Sequence, residues 1–68
     1  MTIYRNGVLN VDLHDFAEIK QLTFNMVNGT MIQISSNDVC DFSMRTCLIK
    51  TRTGIEIDMH KVDTIELE

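Results

Sequence analysis

The sequence predicts an all-β fold, a small antiparallel meander or barrel of about six or seven short strands built from three hairpins, with one or two short helical turns. Three observations point there. Leu22, Phe24 and Met26 alternate with Thr23 and Asn25, and Ile32 and Ile34 resume that half-buried strand pattern after Asn28-Gly29. All three glycines of the chain occupy the same point of such a pattern. Proline is absent, and no helical pattern is long enough to stand as an independent helix.

Side-chain parity types the central turn. A two-residue Asn28-Gly29 loop would put Leu22, Phe24 and Met26 on one face and Ile32 and Ile34 on the other, which a sheet with one buried face rejects. A three-residue loop, Val27-Asn28-Gly29, pairs Met26 with Thr30, Phe24 with Ile32 and Leu22 with Ile34. All the large apolar groups then share one face. Such a loop ends in a left-handed residue, which Gly29 supplies without a Cβ clash.

The same reasoning extends to both flanks. Arg52-Thr53-Gly54 as a loop pairs Ile49 with Ile57 and Cys47 with Met59, and Arg5-Asn6-Gly7 pairs Tyr4 with Val8 and Ile3 with Leu9. The first hairpin is the least constrained, since Tyr4 also tolerates Leu9 opposite it. After the hairpins come apolar pairs three apart: Phe16 and Ile19, Val39 and Phe42, Val62 and Ile65. They mark a loose threefold repeat of roughly 23 residues, competing with the chance likeness of alternating strands.

Taken in order, residues 2–5 and 8–13 form the first hairpin, and 14–19 a short turn or helical segment from an Asp12 cap. Residues 20–26 and 30–35 form the second hairpin, followed by Ser36-Asn37-Asp38 and then Val39 to Phe42. The third uses 44–51 and 55–59, and His60 to Asp63 turn the chain into a last strand, Thr64 to Leu67. Open edges of a meander need protection. Residues 64–67 beside the first strand would close it within one chain, and edge pairing between subunits would do so by oligomerisation.

Residues 1–68 are read as a single small domain. Such a chain buries only about 60% of its unfolded surface, so its stability is marginal. A hydrophobic content of 44% still argues against disorder. No apolar run approaches the roughly 18 residues of a membrane span and no signal pattern opens the chain, so a cytoplasmic protein is expected. Cys40 and Cys47 make no disulfide framework and read as free thiols. A net charge of −4 gives no general attraction to nucleic acid or an anionic membrane.

Candidate chemistry is sparse. His14 and His60 could join Cys40 or Cys47 at a metal, but their spacing matches no compact ligand motif. Asp12, Asp15, Asp38, Asp41, Asp58 and Asp63 gather near strand-to-turn junctions, where aspartates cap short turns more often than they catalyse. The basic residues Arg45, Lys50 and Arg52 include one with a ready partner, since the register sets Lys50 opposite Glu56. The chain is expected to be too short to enclose a sizeable pocket. No catalytic, cofactor or metal residues are assigned, and no enzyme activity or small-molecule substrate is expected. Met31 and Leu48 point away from the apolar faces, with Met44 beside them as a third candidate for an adaptable protein interface.

Leu22 to Ile34, taken with Met59-His60-Lys61-Val62-Asp63-Thr64-Ile65, resembles Sm-like proteins, the bacterial RNA chaperones of that class included. The shared pattern is a strand, an Asn-Gly turn, a strand, and a closing strand beside a histidine. The resemblance implies an oligomeric ring that binds RNA near His60 and Lys61. The chain departs from that pattern in lacking a glycine in the strand after Gly29, in opening with a hairpin instead of a helix, and in its acidic charge. The leading expectation is therefore a non-catalytic protein-interaction module that binds another protein, a second copy of itself being the first candidate, of the accessory or inhibitory kind that phages and mobile elements also encode. An Sm-like RNA-binding ring is the alternative.

Overall fold

A computed structural model describes residues 1–43 and 45–68, without the side chains of Leu13, Phe16, Phe42 and Ser43. Its strands are β1 (Thr2–Arg5), β2 (Val8–Leu9), β3 (Gln21–Met26), β4 (Met31–Ser35), β5 (Val39–Ser43), β6 (Leu48–Thr51), β7 (Glu56–Asp58) and β8 (Val62–Leu67). Single 3-10 turns, η1 (Leu13–Phe16), η2 (Ser36–Asp38) and η3 (Met59–Lys61), follow the three hairpins. The all-β class and its hairpin construction hold, with eight strands and three turns where fewer were expected. The strands form two antiparallel sheets, one ordered β2-β1-β8-β3-β4 and the other β5-β6-β7.

Parity reads the second and third hairpins correctly. Leu22 pairs with Ile34 and Phe24 with Ile32, and the Met26 N–H donates to the Thr30 carbonyl at 2.8 Å. Ile49 pairs with Ile57, and the Met59 N–H reaches the Cys47 carbonyl at 2.8 Å. Gly29 and Gly54 sit at φ 89° and 88°, the left-handed position that each three-residue loop demands. Buried Thr51 fixes the third loop, its Oγ1 accepting the Ile55 N–H at 3.1 Å.

The first hairpin differs. Tyr4 pairs with Leu9 and Arg5 with Val8, so the loop is the two residues Asn6-Gly7, both left-handed at φ 53° and 77°. Asn-Gly is the favoured pair for this tight turn because both positions need positive φ. Parity fails here because β1 does not alternate strictly. A bulge between Thr2 and Tyr4 breaks its register with β8, and buried Ile3 is followed by half-buried Tyr4, which also packs on the core.

Two strand boundaries also move. β2 ends at Leu9, not at residue 13, because Asp12 caps η1: its side chain accepts the His14 N–H, and Asp15 reaches back to the Asp12 N–H at 2.9 Å. β6 begins at Leu48, not at 44, because Cys47 takes a left-handed φ of 55° and ends a turn. The residues before η1, η2 and η3 are Asp12, Ser35 and Asp58, each 23 from the next. The 3-10 turns thus recur at the spacing of the expected repeat. Its Phe16 and Phe42 side chains lie outside the described residues.

The last strand makes the architecture. β8 pairs with β1 (Thr64 with Arg5, Glu66 with Thr2) and also with β3 (Ile65 with Phe24, Leu67 with Leu22). Residues 64–67 do lie beside the first strand, and they separate the first two hairpins as well. One core joins the sheets: Ile3, Leu22, Phe24, Ile34, Val62, Ile65 and Leu67 from the larger, Ile49 and Ile57 from the smaller, with Met59 of η3. Phe24, Ile57 and Ile65 are its most enclosed side chains.

Two measurements check this account. Gly29→Ala and Gly54→Ala should each lose about 1 kcal/mol in chemical denaturation, purely from backbone strain, because nothing lies within 4 Å of either added Cβ. Phe24→Ala should cost roughly 3–5 kcal/mol and leave the domain largely unfolded. Exposed Gln33→Ala should stay within about 0.5 kcal/mol, and equal sensitivity at the two sites would mean that the register is wrong.

Candidate interaction surface

Backbone hydrogen bonding determines which strand edges are free. In the β3–β4 pair, Met26 bonds Thr30 and Ser36 bonds Lys20 through their backbones, which sets the phase of the ladder. Ile32 and Ile34 therefore direct their N–H and C=O groups to β3, while Met31, Gln33 and Ser35 direct theirs outward. β4 ends its sheet, so those outward groups have no strand beside them. Three other strands also form edges, and each carries a protective feature. β2 is two residues long, β7 is three residues with Glu56 and Asp58, and β5 carries Asp41 next to a bulge. β4 reads Met-Ile-Gln-Ile-Ser, five residues with no charge and no proline.

The surroundings of β4 are mixed. Met31 is 59% exposed, and Val27 at the hairpin tip is 66% exposed. Its outward-facing row continues inward as Asn25, Thr64 and Arg5, with the Asn25 Nδ2 donating to Thr64 Oγ1 at 2.9 Å. A second row runs Gln33, Thr23, Glu66, Thr2; the Thr2 hydroxyl donates to the Glu66 carboxylate at 2.8 Å. Thr23 is buried in mid-row, a position that alternation alone assigned to solvent.

Leu48 lies on β6 in the smaller sheet and is half-buried. Met31 and Leu48 thus belong to separate sheets. Met44 lies outside the described residues. Lys50 is flanked by Asp41 on β5 as well as Glu56 on β7, all three exposed, so the basic strand is bracketed by acid.

A cleft of about 480 Å³ opens between the sheets. Its lining includes the buried Ile3, Leu22, Phe24, Ile49 and Ile65, with the more exposed Ala17, Glu18, Ile19, Ser36, Asn37 and Val39 bordering it. Sequence reasoning missed it because the opening depends on how sheets and connections pack, which no local pattern encodes.

The histidines occupy equivalent places. His14 and His60 are each the second residue of a 3-10 turn, and each donates its backbone N–H to the preceding cap aspartate, Asp12 or Asp58. His60 Nδ1 also lies 3.3 Å from Asp58 Oδ1, at the surface. Among the described residues no three His, Cys, Asp or Glu side chains converge, and neither Cys40 nor Cys47 forms a disulfide. Lys61 is exposed beside His60, and its carbonyl accepts the Val27 N–H at 2.8 Å. No helix among the described residues is long and apolar enough to cross a membrane. Compared with family models, curated proteins and solved structures, the chain matches none.

Proposed function

We propose that this chain is a non-catalytic protein-interaction module that associates with a second copy of itself through the free edge of β4. The observation that carries the reading is the contrast among edges: β4 alone among the described ones is uncharged, regular and five residues long. Antiparallel pairing about a two-fold axis at Gln33 sets Gln33 opposite its counterpart and Met31 opposite Ser35 of the second copy. The outward N–H and C=O groups of those residues then satisfy one another, and the two larger sheets join into one. Exposed Met31 gains an adaptable contact across the join.

Two cysteines that form no disulfide, Cys40 and Cys47, suit a reducing, cytoplasmic setting. An accessory or inhibitory role, of the kind small proteins of phages and mobile elements play, fits a compact module that works by contact. The RNA-binding ring remains the second reading, favoured by the joint exposure of His60 and Lys61.

Sedimentation equilibrium at micromolar concentration tests the proposal. The native chain should be dimeric, and Gln33→Pro should be a folded monomer, because the Gln33 N–H points away from β3 and its loss spares the hairpin. Met31→Lys should weaken the dimer. A native chain that stays monomeric contradicts the reading. RNA retention that falls steeply with added salt, and is lost on Lys61→Ala, would favour the ring instead.

A further inference from the structure

We propose that the cleft between the sheets binds a small apolar molecule that is neutral or cationic and carries a hydrogen-bond donor. The cleft is independent of the β4 edge. Protein interiors are close-packed, with few voids larger than a water molecule. The cleft is a surface opening of about 480 Å³ above such a packed floor of aliphatic and aromatic side chains. It also falls in the size range of small-molecule sites, roughly 300–1,000 Å³.

Walls of this kind attract by excluding water and do not orient a ligand. Orientation comes from the rim. Glu18 is the one charged group among the described lining residues, and no lysine or arginine joins it there. A carboxylate accepts hydrogen bonds and attracts positive charge, so the rim selects a donor or a cation and disfavours an anion. Fatty-acid-like ligands are therefore disfavoured relative to amines, alcohols and neutral aromatic donors.

One border of the mouth is held mainly by local hydrogen bonds. The segment from Asn10 to Lys20 is tied to the sheets at its ends, where the Asn10 N–H meets the Ile3 carbonyl at 2.7 Å and the Lys20 N–H meets Ser36 Oγ at 2.9 Å. Between those ties, the hydrogen bonds of the described residues are local, linking Asp12, His14, Asp15 and Ala17.

A matched pair of dyes tests the site: N-phenyl-1-naphthylamine, which is neutral with an N–H donor, and 8-anilinonaphthalene-1-sulfonate, the same skeleton bearing an anion. The neutral dye should bind saturably with a fluorescence rise, and the sulfonate about tenfold or more weaker. Glu18→Gln should narrow that gap. Ala17→Trp, at the exposed mouth, should block the neutral dye while the thermal midpoint stays unchanged, and Gln33→Pro should leave binding intact. Absence of saturable binding of the neutral dye to the folded chain overturns the proposal. So does equal binding of the two dyes, which is the behaviour of a loosened core, or binding indifferent to Ala17→Trp.

Discussion

The insertion of β8 between β1 and β3 is the contact on which the rest of the fold depends. The β1–β2 hairpin has only two residues in its second strand, and a lone two-stranded hairpin is marginal in water. β8 gives β1 a second ladder and supplies Val62, Ile65 and Leu67 to the core. The same strand lines up Ile65 with Phe24 and Leu67 with Leu22, so both N-terminal hairpins are held through it. The contacts span nearly the whole chain: the Met1 ammonium donates to the Leu67 carbonyl at 2.9 Å, 66 residues away in sequence. Loop-closure entropy must be met before such pairings contribute, which makes folding cooperative and comparatively slow.

How far the sequence is legible follows from the range of the interactions involved. The second and third hairpins are readable because a three-residue turn and strict alternation are local and reinforce each other at Phe24–Ile32 and Ile49–Ile57. The first is misread because a bulge opposite β8, a partner more than fifty residues away, puts Ile3 and Tyr4 both against the core. The 3-10 turns are half legible: Asp12 announces one through its cap, while the even spacing with Ser35 and Asp58 emerges only once all three turns are located. The position of β8 between two hairpins, and the cleft above Ile49 and Ile65, depend on tertiary packing and leave no periodic trace.

The repeat also explains where the open surfaces lie. After η2 and η3 the chain continues as strands β5 and β8, but after η1 it runs through Ala17, Glu18 and Ile19 without forming one. Ile65, which stands where Ile19 stands two turn units earlier, is buried, whereas Ile19 is 72% exposed. The missing strand leaves the mouth of the cleft and an apolar side chain at the surface. Among the strands, acidic residues fall on β5, β7 and β8, so β4 is left as the regular edge without charge. Packing of unequal repeat units, not any catalytic motif, sets which surfaces are available.

Native-state hydrogen exchange across a denaturant series tests the role of β8 most directly. If β8 holds the larger sheet together, the amides of β1, β3 and β8 open together, with one free energy equal to that of global unfolding. Protection of the β1–β2 or β3–β4 ladder at denaturant concentrations where the β8 amides have already exchanged would contradict the account.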